Sequence, residues 1–186
     1  MFIFATLLLV TSFIFLFLTI FMVIFFRDPD RQIAEGIVSP ADGRVMGIYN
    51  EKDNDVGDAV RVSIFMSLWD VHINRIPIDG KVLKVSRFKG GFAPAFLKKS
   101  SNNERVVTLL GTEIGVIKIT QIAGAIARRI ITYVKEGKNV KKGEKMGIIK
   151  FGSRVDIILP REKVKICVKQ NQKIKAGVDT IAKIID

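Results

Sequence analysis

Residues 1–26 carry no charged side chain and consist mostly of Phe, Leu, Ile and Val; the pattern changes abruptly at Arg27. At about 1.5 Å per residue, such a run exceeds a hydrocarbon core of roughly 30 Å, so it predicts one transmembrane helix and excludes two. A cleaved signal peptide would show a basic start and a small-residue cleavage site, and neither is present, so the run reads as a retained anchor. Asp28, Pro29 and Asp30 end it. Arg27 and Arg31 flank only its C-terminal side, which by the positive-inside rule puts residues 27–186 on the cytoplasmic face of the cell membrane.

Beyond the anchor the periodicity switches from continuous to alternating. Short apolar runs cut by glycine and charge recur over 36–38, 43–48, 59–65, 82–85, 105–110, 115–119 and 129–134, many of them β-branched. The clearest strand follows Phe151-Gly152-Ser153, where Val155, Ile157 and Leu159 alternate with Arg154, Asp156 and Ile158 until Pro160 stops the ladder. Helical candidates are few, namely the anchor, a turn near Ala93–Lys99 and the stretch Ala123–Arg129. The fold class is therefore mostly β (α+β), an N-terminal transmembrane helix followed by one β-rich domain. Val140-Lys-Lys-Gly143 and Ile174-Lys-Ala-Gly177 form a weak repeat similar to the half-motifs of lipoyl-like barrel-sandwich hairpins. A carrier domain would need its modified lysine in a turn such as Met-Lys-Met, which is absent.

Charge narrows the partners. Lys and Arg total 30 against 18 Asp and Glu, a net charge of +12. That favours an anionic partner, and the anchor makes it a lipid surface, with roughly 1 kcal/mol of attraction per basic residue near an acidic leaflet. A nucleic-acid partner is not expected, because eight of the 13 phenylalanines lie in the anchor and there is one tryptophan, Trp69. The single cysteine, Cys167, excludes an internal disulfide and a cysteine-rich zinc site, and no metal is expected. It faces away from Val164, Ile166 and Val168 and reads as a structural thiol.

Four segments carry candidate chemistry. Ser39-Pro40-Ala41-Asp42-Gly43 reads as a β-turn bearing a carboxylate. Val71-His72-Ile73-Asn74-Arg75-Ile76-Pro77 holds the one histidine of the chain, whose ordinary pKa suits proton transfer near neutrality. Gly90-Gly91-Phe92, continuing to Asn103-Glu104-Arg105, reads as a loop rich in Phe and Lys. The fourth is Phe151-Gly152-Ser153, where a residue without Cβ leaves its carbonyl open to approach.

Together with Phe25-Phe26-Arg27-Asp28-Pro29, these segments, in this order over about 25–160, resemble the short form of the pyruvoyl-dependent phosphatidylserine decarboxylase family. The resemblance implies a chain that cleaves itself at Gly152-Ser153 into a β chain, 1–152, and an α chain, 153–186, which stay associated. Ser153 would attack the Gly152 carbonyl and end as a covalent pyruvoyl group, so no added cofactor is needed. That group would form a Schiff base with the serine amine of a membrane lipid and accept electrons as CO₂ leaves. By Ser-His-Asp logic the base is His72 oriented by Asp42, and which of the two acts in each step is open. Arg44, Arg75, Lys98 and Lys99 are candidates for the phosphodiester. Longer family members carry His-x-x-His-x-Pro; here His72 keeps the first histidine and Arg75 stands at the second. Neither diacyl versus archaeal ether tails nor a homo-oligomer is decided by the residues.

Two other readings compete. An adaptor subunit of an export pump shares the anchor and the hairpins, but it would carry a long helical hairpin and lie outside the cytoplasm. A membrane-bound Ser/Lys peptidase would need a specific lysine partner for Ser153, and none is marked by the pattern.

Overall fold

The computed structural model describes residues 2–91, 103–124, 129–150 and 153–185. The anchor is one helix, α1 (Phe2–Phe25), with side chains exposed along most of its length. Ile3–Phe25 is long and apolar enough to cross a membrane. At 24 residues it measures about 36 Å.

The remainder is mostly β, as the alternation predicts. Ile37–Val38 forms β1, Gly43–Asp53 β2, Gly57–Met66 β3, Ile73–Arg75 β4 and Gly80–Phe88 β5. Arg105–Thr112 is β6, Gly115–Ile122 β7, Ile130–Thr132 β8, Asn139–Val140 β9 and Lys145–Ile149 β10. Ser153–Pro160 is β11, Val164–Ile166 β12, Lys173–Ile174 β13 and Thr180–Ile184 β14. Eight of these make one sheet in the order β13-β2-β3-β11-β7-β6-β5-β9, while β4-β10-β8 and β1-β14-β12 form two smaller ones.

β11 lies in the interior of the large sheet, antiparallel to β3 on one side and β7 on the other. Val155, Ile157 and Leu159 enter the main core with Val62, Ile64, Ile117 and Ile119. Alternation alone predicts that Arg154, Asp156 and Ile158 face solvent, but all three are buried. The reason is their position in mid-sheet: the Arg154 fork closes on Asp156 at 2.7 and 2.5 Å, and the Arg61 guanidinium on β3 lies 3.9 Å from the same carboxylate.

The weak repeat is structural. β9 and β13 each lead through a turn into a longer strand, β10 and β14. Gly143 and Gly177 sit at corresponding places with φ of +83° and +76°, where only glycine is at ease. A Cβ on either would fall within 3 Å of the Ile33 side chain, so both turns close on one residue of the segment that follows the anchor. Of the two lesser helical expectations, the turn near Ala93–Lys99 and most of Ala123–Arg129 lie outside the described residues.

Candidate active site

Ser153 opens β11 opposite Met66 of β3 and is fully buried. Its Oγ lies 3.3 Å from Met66 Sδ. His72 leads into a strand of a different sheet, and no hydrogen bond joins it to Ser153 among the described residues. It immediately precedes β4, whose Ile73 pairs with Ile148 of β10, and the Ile149 N–H donates to the His72 carbonyl at 3.4 Å. β10 ends at Ile149, and the chain reaches Ser153 a few residues later. The histidine segment is thus hydrogen-bonded to the strand that delivers the Gly152-Ser153 bond. Gly152 itself lies outside the described residues.

His72 is fully buried, with Val71 and Ile73 packed beside Ile148. Its Nδ1 is 2.8 Å from the Asp70 carbonyl, which can only accept, so Nδ1 carries the ring proton and Nε2 presents its lone pair. Nε2 is buried without a hydrogen-bond partner among the described residues. Burial pushes the imidazole pKa down from 6.5 to about 4, against the opposing pull of the Asp70 carbonyl. Near neutrality the ring is uncharged, so the Nε2 lone pair is available to accept a proton.

The cover over His72 comes from the anchor. Phe25 is 1% exposed and packs on the imidazole. Phe21 meets Trp69 edge-on at 5.9 Å, and Arg27 donates to the Trp69 carbonyl at 2.6 Å and to Ile24 at 2.7 Å. Asp70 holds the same loop shut from inside by accepting from the Ser67 N–H and hydroxyl at 2.8 and 2.7 Å.

Asp42 is placed differently from its expected role. Its carboxylate accepts a fork from Arg31 at 2.5 and 2.9 Å and the Ala176 N–H at 2.8 Å. No hydrogen bond joins it to His72 among the described residues, and the hydrogen-bond partner of the histidine is instead the Asp70 carbonyl. Asp42 reaches the imidazole only as a minor electrostatic influence. The turn carrying it is fixed by Gly43, where a Cβ would fall 2.0 Å from the Phe65 carbonyl oxygen.

The basic candidates divide. Arg75 is spent on structure, pairing with Asp28 at 2.7 Å and donating to the Gly143 carbonyl at 3.0 Å. Arg44 is exposed and donates to Asn171 O at 2.7 Å. Lys98 and Lys99 lie outside the described residues. A cleft of about 440 Å³ opens instead at the foot of the anchor, between Arg27, Arg31, Asp42, Val71 and Lys175. Sequence reasoning missed this cleft, the Arg31–Asp42 pair and the Phe25 cover, because each joins residues that no local pattern links. Among the described residues no group of three or more His, Cys, Asp or Glu is arranged to hold a metal ion.

The family model for phosphatidylserine decarboxylase matches residues 18–182. The chain belongs to the phosphatidylserine decarboxylase family. A phosphatidylserine decarboxylase proenzyme of Streptomyces coelicolor is 53% identical over 161 residues, covering 86% of this chain and 72% of the relative. An Archaeoglobus fulgidus protein named as an archaetidylserine decarboxylase proenzyme is 46% identical over 171 residues, 92% of this chain and 82% of the relative. A Methanosarcina acetivorans protein with the same name is 44% identical over 170 residues, 90% and 77% of the two chains. The decarboxylase family model begins inside the anchor helix and ends within β14, so anchor foot, histidine segment and β11 are all family parts.

Proposed function

We propose that this chain is a carboxy-lyase that cuts itself between Gly152 and Ser153 and then converts a serine-headgroup lipid to its ethanolamine counterpart and CO₂. The lipid is phosphatidylserine or archaetidylserine; relatives named for each are similarly close to this chain. The observation that carries the reading is the burial of Ser153 at the head of β11, with a neutral His72, its Nε2 without a partner among the described residues, on the segment bonded to the preceding strand. A surface serine on a glycine bend would need neither.

In processing, His72 Nε2 takes the proton from Ser153 Oγ as that oxygen attacks the Gly152 carbonyl and the amide becomes an ester. Elimination frees the Gly152 carboxylate, and hydrolysis with loss of ammonia leaves a pyruvoyl group at residue 153. The site fits such a group: Ser153 is fully buried, with its Oγ against Met66 Sδ. The pyruvoyl carbonyl supplies an electron sink for the bond that breaks as CO₂ departs. The residues of the chain do the rest. His72 holds or returns a proton at Nε2, while Phe25 and the Trp69 loop exclude water from it. Asp42, braced by Arg31, ties the segment after the anchor to the Ala176 turn and so fixes the wall of the cleft. Lys175 and Arg27 line that cleft where a phosphodiester would enter from the membrane. Arg27 and Arg31 flank the anchor on this side, which agrees with a catalytic domain on the cytoplasmic face.

The test is intact mass under denaturing conditions, with Ser153→Ala alongside. Two fragments meeting at 152/153, the smaller one blocked at its N-terminus and reactive to ketone reagents, are expected for the unaltered chain, and one intact chain for the variant. An intact unaltered chain of 20.8 kDa would overturn the reading. Assays on phosphatidylserine and archaetidylserine then choose the tails.

A further inference from the structure

Two carboxamides lie where the core pattern calls for hydrocarbon. On β7 the inward positions read Ile117, Ile119, Gln121, and along the histidine segment they read His72, Asn74, Ile76. Asn74 and Gln121 are both fully buried. Gln121 Nε2 donates to Asn74 Oδ1 at 2.7 Å, which turns the Asn74 amide so that Nδ2 faces Met66 Sδ at 3.6 Å. Ser153 Oγ contacts the same sulfur at 3.3 Å. Two donors from separate sheets therefore meet on one thioether, a weak acceptor.

That is a poor use of a buried donor. Leaving a buried polar group unsatisfied costs about 1–3 kcal/mol, whereas an apolar pair of the same shape would cost little. Gln121 Oε1 is also buried without a partner among the described residues. The fold even makes room for the pair: a Cβ on Gly147, opposite Asn74 in β10, would lie 3.2 Å from Gln121 Nε2 and 2.4 Å from the Ile131 carbonyl. An amide retained at such expense beside a reactive residue is explained by an acceptor better than sulfur, present when residue 153 bears a carbonyl.

We infer that the Asn74 carboxamide is the hydrogen-bond donor to the keto oxygen formed at residue 153, and that Gln121 is the positioning residue that aims it. The inference rests on the conversion of Ser153 proposed above. A donor fixed before reaction would steady the negative charge that develops on that oxygen as an amine adds to the carbonyl carbon, before the oxygen leaves as water, without reorganisation at the moment of reaction. Met66 Sδ marks where the donor waits beforehand.

The test uses the full-length chain in detergent or lipid, with Asn74→Leu and the volume-conserving Gln121→Met. Both variants are expected to be cleaved. In Asn74→Leu, kcat should fall roughly 10- to 100-fold with KM within about threefold, since the lost contact acts in the transition state. Gln121→Met should show a smaller loss of the same kind. Independently of turnover, the keto stretching band, read by isotope-edited infrared difference, should move to higher wavenumber in Asn74→Leu. An unmoved band with kcat within twofold of the unaltered enzyme would overturn the inference. So would a folded Asn74→Leu chain that stays uncleaved, because the donor is assigned to the finished carbonyl and not to the cut. If Asn74→Leu fails to fold by circular dichroism, Gln121→Met decides by the same two readouts. An unaltered chain that yields no ketone sinks the earlier reading, whereas a working ketone indifferent to both variants sinks only this one.

Discussion

The ring of Phe25, the last residue of the anchor helix, lies 4.1 Å from the ring of His72 between centroids, inclined at 31°. The N-terminal helix thereby covers one side of the histidine. Burial is the chief cause of the low imidazole pKa, near 4. Truncating this cover admits water and should return the pKa toward 6.5. Phe25→Leu is therefore expected to raise the acid limb of the cleavage rate, followed on gels across pH 4–7, by a fraction of a unit. Phe25→Ala should raise it further, at a stability loss of about 3–5 kcal/mol. Identical acid limbs in all three proteins would show that the anchor is merely a tether.

The same burial couples stability to pH. Folded His72 titrates near 4, below its ordinary 6.5. Between those values the unfolded chain binds a proton that the folded chain does not, so stability from this group is complete above about pH 6.5 and declines as pH falls toward 4. The decline is on the order of 3 kcal/mol for a shift of this size. Urea unfolding of uncleaved Ser153→Ala at pH 7 and pH 4.5 should show it, and a His72→Asn background should lack it.

Arg31 and Asp42 form a buried ion pair, with side chains 6% and 10% exposed. Removing one member leaves the other charged and unpaired, which costs about 3–5 kcal/mol. Arg31→Met is expected to lower the thermal midpoint sharply and reduce the yield of cleaved protein. A midpoint unchanged within a degree or two would mean that the Ala176 N–H alone suffices for Asp42.

Arg75 sits where longer family members place a second histidine, but it is clamped to Asp28 and the Gly143 carbonyl. Arg75→Met should cost about 1–3 kcal/mol of stability in melting experiments. Its KM for lipid should stay within about twofold of the unaltered enzyme. A tenfold rise in KM with stability intact would restore Arg75 as a headgroup ligand.

Much of this was legible in the chain. The uncharged run gave α1, and the period-two runs gave most of the longer strands, because both depend on neighbours in sequence. The repeat around Gly143 and Gly177 was also readable, since each turn needs a glycine at positive φ. What the pattern could not supply was non-local. Asp42 finds its partners 11 and 134 residues away, in Arg31 and Ala176. Nothing near Asp42 marks either of them, so the aspartate was read with His72 instead. Gln121 did leave a trace, as the one amide on a face otherwise built of isoleucine. The alternation along β11 does not reveal that its second face is also buried, because a strand in mid-sheet hides charges that an edge strand would show.

The interior place of β11 has a consequence for timing. Ser153 meets Met66 only once β11 has been laid between β3 and β7, with strands from both ends of the chain in register around it. A newly made polypeptide lacks that alignment, so the bond before Ser153 is safe until assembly is finished. Scission then acts as a certificate of correct folding, issued once and not withdrawn. On the proposed mechanism, chains that stall or misregister would keep their full length, and the cell would never meet a half-built reactive carbonyl.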